Sequence, residues 1–279
     1  MPRVLVTGAG RGIGLAAVQR LAAAGWDVIA GVRQAQDGER VAALAPGRIT
    51  PATLDITDAG QVAALDDVVA GQLDAVVNNA GIVVTGPLEG LALADLRRQL
   101  EVNVTGQLAV TQAVLPALRA SRGRIVFVSS LSGRVANPMM GAYNASKYAL
   151  EGMADALRME LSPWGVKVVL VEPAQTDTDL WRNADETVEQ AVAALSDEHR
   201  VLYDKHITGM RKGVRLSQKL AAPVEGVAAV IEKALTASRP RARYVVGTPA
   251  RLQASVLPLT PTPVLDLVMK AASGVPRRP

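Results

Sequence analysis

The sequence predicts an α/β chain of repeated βαβ units on a parallel sheet, and three observations carry the expectation. Short β-branched apolar runs alternate with longer alanine- and leucine-rich amphipathic stretches from Arg3 to about Gln175. Several of those runs are apolar throughout, as strands covered on both faces must be. A glycine cluster, Gly8 to Gly14, stands where the first apolar run gives way to the first amphipathic stretch.

Taken in order, strands are expected over Arg3–Thr7, Asp27–Gly31, Ile49–Leu54, Ala75–Asn78, Arg124–Ser129 and Lys167–Glu172. Helices fill the intervals at Gly12–Ala24, Asp58–Ala70, Leu93 to about Arg119, and Ala142 to about Ser162, the last stopped by Pro163 and Gly165. No element is assigned between Arg33 and Ile49. After Thr178 the pattern turns polar and helical as far as Leu220, then a helix at Val224–Thr236 leads to a final strand at Arg243–Val246. The chain therefore reads as a single domain over 1–279, with 178–220 a strandless helical insertion and 248–279 a C-terminal extension. Ligands of parallel α/β sheets bind beyond the carboxyl ends of the strands, so an insertion after Lys167–Glu172 is placed to act as a lid over a substrate.

Composition narrows the chemistry. A chain of 279 residues with 49% hydrophobic content can bury a large core, and it has no cysteine, which excludes disulfides, thiolate nucleophiles and cysteine-held metals. Its two histidines, His199 and His206, give poor support to a metal site, so none is expected. The net charge of +4 raises the question of nucleic acid. The arginines are scattered, however, apart from Arg239, Arg241, Arg243, Arg277 and Arg278, and stacking aromatics are scarce, so no nucleic-acid partner is expected. The N-terminus carries no extended apolar segment and no small-residue cleavage site, which points to the cytoplasm. The apolar tail from Ala254 to Val268 is interrupted by Pro258, Pro261, Pro263 and Asp266 and does not read as a membrane span.

In Thr7-Gly8-Ala9-Gly10-Arg11-Gly12-Ile13-Gly14 the glycines let the backbone turn tightly and approach a pyrophosphate, whose charge the open helix N-terminus favours. The spacing of Gly8, Gly12 and Gly14 also suits an ordinary strand-to-helix turn. An acidic residue ending the second strand would favour a free adenosine ribose; this strand ends instead in Arg33, and Arg11 lies inside the loop. Two guanidinium groups there favour a ribose 2′-phosphate, hence NADP over NAD, although both are also compatible with solvated surface positions.

Tyr143 and Lys147 stand four residues apart, on one helix face. A fixed cation beside a phenol is expected to lower its pKa toward the range of an efficient general acid/base. Ser130, at a strand end thirteen residues earlier, could hold a substrate oxygen beside the phenol, or simply form a turn. Asn103 is awkward inside a helix; it is either a placed polar group or an exposed, locally bonded amide.

Together, Thr7–Gly14, Asp55, the Asn78-Asn79-Ala80-Gly81 run, Asn103, Ser130 and Tyr143 with Lys147 resemble the motifs of the short-chain dehydrogenase/reductase family, in order and at family spacing, from about Val4 to Thr178. The resemblance implies a Rossmann-type doubly wound sheet, no metal, Tyr143 as acid/base and Ser130 polarising a carbonyl. It further implies Lys147 bonding the nicotinamide ribose while lowering the tyrosine pKa, and Asn103 holding a water in a proton relay. Gly8, Arg11, Gly12, Ile13, Gly14, Arg33, Asp55, Ile56, Asn79, Ala80, Gly81, Tyr143, Lys147, Pro173 and Thr178 would contact the cofactor, Asp55 and Ile56 at the adenine. One departure stands out. Pro173-Ala174-Gln175-Thr176-Asp177-Thr178 has alanine where the family has glycine, which puts the nicotinamide-side turn and the Thr178 contact in question.

The segments Tyr143–Gly152 and Arg243–Gly247 look like hydroxysteroid and retinol dehydrogenase members. They suggest a lipophilic ketone, aldehyde or secondary alcohol, with Val135, Ala136, Pro138, Met139, Met140, Leu180 and Trp181 as pocket or core residues. The resemblance also suggests a homodimer or homotetramer through the helix bearing Tyr143. Two rivals remain: a nucleotide-sugar epimerase or dehydratase on this fold, for which 178–220 is short, and a non-catalytic NADP sensor, which would not need Tyr143, Lys147 and Ser130.

Overall fold

A computed structural model describes residues 1–276; Arg277 and Arg278, and the side chain of Leu180, lie outside the described residues. Among the described residues the chain alternates strand and helix as β1 (Arg3–Thr7), α1 (Gly12–Ala23), β2 (Asp27–Val32), α2 (Ala35–Ala42), β3 (Ile49–Thr53), α3 (Ala59–Ala63), α4 (Leu65–Val69) and β4 (Ala75–Asn78). It continues through α5 (Leu93–Leu100), a π-helical turn at Glu101–Thr105, α6 (Gly106–Ser121), β5 (Arg124–Val128), α7 (Gly141–Glu160) and β6 (Lys167–Pro173). Then follow α8 (Asp179–Arg182), α9 (Ala184–Ala193), α10 (Asp197–Leu202), α11 (Asp204–Leu220), α12 (Val224–Thr236), β7 (Arg243–Val246), α13 (Thr248–Val256) and α14 (Thr262–Ala272).

The strands form one parallel sheet in the order β3-β2-β1-β4-β5-β6-β7, the Rossmann-type doubly wound arrangement. Alternation along each strand feeds two cores. Val4, Val6, Val28 and Ala30 face Val18 and Leu21 of α1 and Ile231 of α12, whereas Leu5, Ile29, Val76 and Phe127 face Val110, Val114 and Leu118 of α6 and Leu150 of α7. The order reverses between β1 and β4, and the cleft beyond their carboxyl ends is where the glycine loop lies.

Three differences from the sequence expectation have physical causes. Helix α2 was not foreseen, because eight residues with Gly38 inside give almost no apolar period; that glycine is needed where a Cβ would come within 2.9 Å of Pro51. The expected Asp58–Ala70 helix is two short ones, α3 being capped by the Asp58 carboxylate accepting from Gly60 and Gln61 N–H. The long helix from Leu93 is interrupted by the π turn, which carries Asn103.

Residues 178–220 fold as α8 to α11, without a strand, from a closed neck: Asp177 N–H donates to Ala222 C=O at 2.8 Å and Ala222 N–H to Gln175 C=O at 3.0 Å. The C-terminal extension is helical as well, and Gly209 of α11 crosses it so closely that a Cβ would lie 2.6 Å from Ser273 C=O. Among the described residues no helix is long and apolar enough to cross a membrane.

Candidate active site

The loop between β1 and α1 is closed by contacts that admit no side chain. Gly8 and Gly12 have φ of +64° and +53°, and a Cβ on Gly14 would stand 2.2 Å from the Gly8 carbonyl oxygen. Arg11 precedes α1 in extended conformation and makes no side-chain cap bond, so the first N–H groups of this helix are left for an anion, unlike those of α3. Thr178 faces Gly12, with its Cβ 3.4 Å from where a glycine Cβ would be, so the nicotinamide-side turn does reach the loop. Ala174 is not among the residues of positive φ, and it packs on Leu131, Ala250 and Ala254. Alanine is thus unstrained at this departure, and its methyl helps seat α13.

Beyond the ends of β1 and β2, Arg11 and Arg33 are exposed; hydrogen bonds from Thr57 and, less, the charge of Arg33 hold the Asp55 carboxyl below its ordinary range. The Thr57 N–H and hydroxyl both donate to Asp55 Oδ1. Ile56 is buried. An unforeseen pair also reaches the loop: Arg40 of α2 donates to Gly10 C=O at 2.6 Å and to Asp37 at 2.7 Å.

Asn79 has a definite task. Its amide donates to the Thr7 and Gly8 carbonyls, while the buried Thr7 hydroxyl accepts from Asn79 and Ala80 N–H, each at 3.0 Å. The segment beyond β4 is held on its other side by a polar ladder along α5, the π turn and α6. Gln99 accepts from Val84 N–H and donates to Ile82 C=O; Asn103 accepts from Ile82 N–H at 2.9 Å and donates to Ile82 C=O at 3.0 Å. Gln107 donates to Ala80 C=O, and the Thr111 hydroxyl accepts from Asn78. Asn103 is therefore neither exposed nor locally bonded; it is fully buried, and its amide also donates to Ser146 at 3.1 Å. Gly81 lies against it, with Asn103 Oδ1 3.3 Å from a Cβ there.

Helix α7 distributes its polar residues by direction. Tyr143 and Lys147 lie one turn apart on the same face of α7, with Lys147 Nζ 5.7 Å from the tyrosine ring centre and Ser130 near enough to the phenol to favour its ionised form. Nζ donates to Val128 C=O at 2.9 Å, which ties the ammonium to the end of β5. Asn144, missed in the sequence, secures the loop after β5: it donates to the Ser132 and Val135 carbonyls and accepts from Asn137 N–H. Ser146 links the helix to Asn103. The Ser130 hydroxyl accepts from Ser132 N–H, which fixes it at the end of β5.

The expected lowering of the Tyr143 pKa is not found. Burial pushes the phenol up to about 12, against which the Ser130 hydrogen bond acts the other way. The same burial pushes Lys147 down to about 8, opposed by the Glu151 carboxylate. With Nζ beside the ring and bonded to a carbonyl, desolvation outweighs the attraction between phenolate and ammonium.

Toward the substrate side, Pro138, Met139 and Met140 are half-buried, Ala136 is exposed and Val135 is core. Met139 has φ +67°, unusual for a non-glycine residue, and its carbonyl accepts from Gly86 N–H at 2.8 Å. The 178–220 insertion packs on the neighbouring 88–90 turn: a Cβ on Gly90 would meet Leu195 at 2.8 Å, and the Tyr203 hydroxyl donates to Glu89 at 2.6 Å. Trp181 packs with Ala184, Val188 and Val214 inside the lid and so belongs to the lid's own core.

The sheet order, the side-chain-free loop at its switch point and the Ser130–Tyr143–Lys147 group define a Rossmann-type oxidoreductase. The chain belongs to the short-chain dehydrogenase family, whose sequence pattern matches residues 2–189. It is 34% identical over 278 residues to an NADPH-dependent 3-dehydrocapnine reductase of Ornithobacterium rhinotracheale, covering 96% of each chain. It is 33% identical to retinol dehydrogenase 5 of Mus musculus, over 95% of this chain and 87% of the relative. A short chain dehydrogenase from Burkholderia cenocepacia, crystallised in complex with NADP, superposes with a TM-score of 0.75 at 27% identity, covering 99% and 98% of the two chains.

Proposed function

We propose that this chain transfers hydride between NADP(H) and the carbonyl/alcohol pair of a lipophilic ketone, aldehyde or secondary alcohol. The observation that carries the reading is Tyr143, half-buried beside Ser130 and on one helix face with Lys147, whose Nζ lies 5.7 Å from the phenol ring centre. The groups around the loop fit the cofactor: a backbone cradle closed at Gly14, an uncapped α1, and Thr178 across from Gly12. Arg11 and Arg33 would hold the ribose 2′-phosphate, Asp55 and Ile56 the adenine, and Pro173 and Thr178 the nicotinamide side. The bound cofactor supplies the hydride.

The protein's part is the proton. Ser130 and Tyr143 offer two hydroxyls to one substrate oxygen, and Tyr143 passes its proton to that oxygen as charge develops on it. Burial favours the protonated phenol, so at neutral pH Tyr143 has a proton to give when the reaction runs from carbonyl to alcohol. Lys147 would bond the nicotinamide ribose, and its ammonium can return a proton to the Tyr143 phenolate, to be reprotonated in turn from water. The Asn103 amide is spent on Ile82 and Ser146, which leaves its main chain to hold the relay water.

A lipophilic substrate is supported by the half-buried Pro138-Met139-Met140 turn and by the likeness to retinol dehydrogenase 5. NADPH oxidation measured against a panel of steroid-like, retinoid-like and small polar carbonyls tests it. Turnover should favour the apolar compounds by at least about tenfold. Preference for small polar carbonyls would refute the substrate class, and tight NADPH binding without any turnover would replace the enzyme with a sensor.

A further inference from the structure

The arginines are scattered, yet charge is unevenly shared along this chain. Residues 205–279 hold thirteen of the thirty Lys and Arg and three of the twenty-six Asp and Glu, a net charge of +10, against −6 for residues 1–204. This basic quarter starts in α11 and ends in the C-terminal extension. Arg211 and Arg243 are paired with carboxylates, but Lys205, Lys212, Arg215, Lys219, Arg251 and Lys270 are exposed and make no ion pair among the described residues.

The same elements expose large aliphatic side chains. On α11, Lys212, Arg215, Leu216, Lys219 and Leu220 recur at three- and four-residue spacing, so cations and leucines share one outward face, opposite the buried Ile207 and Val214. That face begins at Gly209, covered by the chain at Ser273 and Gly274, and runs on past Gly213, where an added Cβ would meet nothing within 4 Å. It therefore adjoins the end of α14. In the extension, Leu252, Val256 and Leu259 stand away from the buried Ala250 and Ala254, Leu252 being 70% and Leu259 83% exposed. Helix α14 adds Val264, Leu267 and Val268. A monomer in water seldom leaves so much apolar surface together without a use for it.

We propose that this basic, aliphatic C-terminal surface docks on an anionic phospholipid bilayer, its leucines and valines entering the boundary between headgroups and acyl chains while its cations meet lipid phosphates. Among the described residues no helix can cross a bilayer, so the protein lies on the surface. The charge on the page selects this occupant. A second copy of the chain would set like charge against like. Nucleic acid would meet the cations but leave the aliphatic residues in water, and no aromatic side chain stands among them to stack on bases. The remainder of the chain, at net −6, is repelled by the same lipids, which orients the molecule with its C-terminal elements down.

The test is co-sedimentation of the full chain with vesicles of phosphatidylcholine alone or with about 30% phosphatidylglycerol, in about 0.1 M salt. The anionic vesicles should bind at least about tenfold more tightly, and about 0.5 M salt should remove most of that advantage. Lys212→Gln with Lys219→Gln should weaken binding to them about tenfold, and so should Leu267→Ser with Val268→Ser. None of the four side chains is buried, so thermal unfolding of each variant should stay within about 3 °C of the parent. Should one pair of replacements not fold, the other carries the same expectation. Equal binding to the two kinds of vesicle, or binding that either variant leaves unchanged, overturns the proposal. So does tighter binding to duplex DNA than to the anionic vesicles, or self-association that Leu267→Ser with Val268→Ser abolishes while the vesicles sediment without protein.

Discussion

The glycine-loop end of the fold is held by backbone contacts, whereas the 178–220 insertion and the C-terminal extension are helices that bury little. At the first, Gly14 touches Gly8 and Asn79 ties both Thr7 and Gly8 to the end of β4, so the loop has one conformation available. At the second, α14 buries no residue, and Leu252, Leu259, Leu267 and Val268 stand exposed along the extension. The lid is held by its neck, by the 88–90 turn and by the Gly209 crossing. A loop that must present N–H groups to a fixed anion gains from rigidity. A cover over an irregular apolar ligand gains from surfaces that can shift.

That contrast can be broken by substitution. Gly14→Ala places a methyl against the Gly8 carbonyl, so NADPH affinity should fall by about 100-fold, read by fluorescence titration. Affinity within about twofold of the parent would mean the loop is not rigid. Replacing both Arg11 and Arg33 by alanine should weaken NADPH by about 30-fold and leave NADH nearly unchanged, since only the 2′-phosphate loses its partners. Equal losses would remove the two arginines from the ribose site.

A pH measurement probes the junction of the two ends. The Lys147 value of about 8 lies below its ordinary 10.5, so between these the unfolded chain binds more protons and stability rises with pH. In Lys147→Met that rise should shrink, as judged by urea unfolding at about pH 8 and about pH 10. Equal slopes in the two proteins would contradict the buried-ammonium geometry. The smallest effect belongs to truncation after Thr260. Losing α14, none of whose own residues is buried, should raise KM for an apolar ketone about threefold while NADPH affinity is retained. A lost cofactor site would show that the extension braces the nucleotide end after all.

Much of this was legible in the sequence, for reasons that differ by residue. The strands and the glycine loop announce themselves because burial on both faces and close backbone approach restrict composition locally. The pairing of Tyr143 with Ser130 could be placed only by resemblance, since one lies on a helix and the other at a strand end. Gln99, Asn103, Gln107 and Thr111, every fourth residue on one otherwise apolar helical face, carried a readable signal of an internal polar ladder. Arg40, Asn144 and Glu151 carried none, because their partners lie in other elements. The direction of the Tyr143 shift was misjudged because spacing reports a neighbouring cation but not the burial of both groups.

The account stands or falls on the proton of Tyr143. Single-turnover NADPH oxidation with an apolar ketone, measured alongside NADPH titration, compares Tyr143→Phe with the parent. The expected result is a rate lowered by about a thousandfold with cofactor affinity within about twofold. A rate close to that of the parent would contradict it.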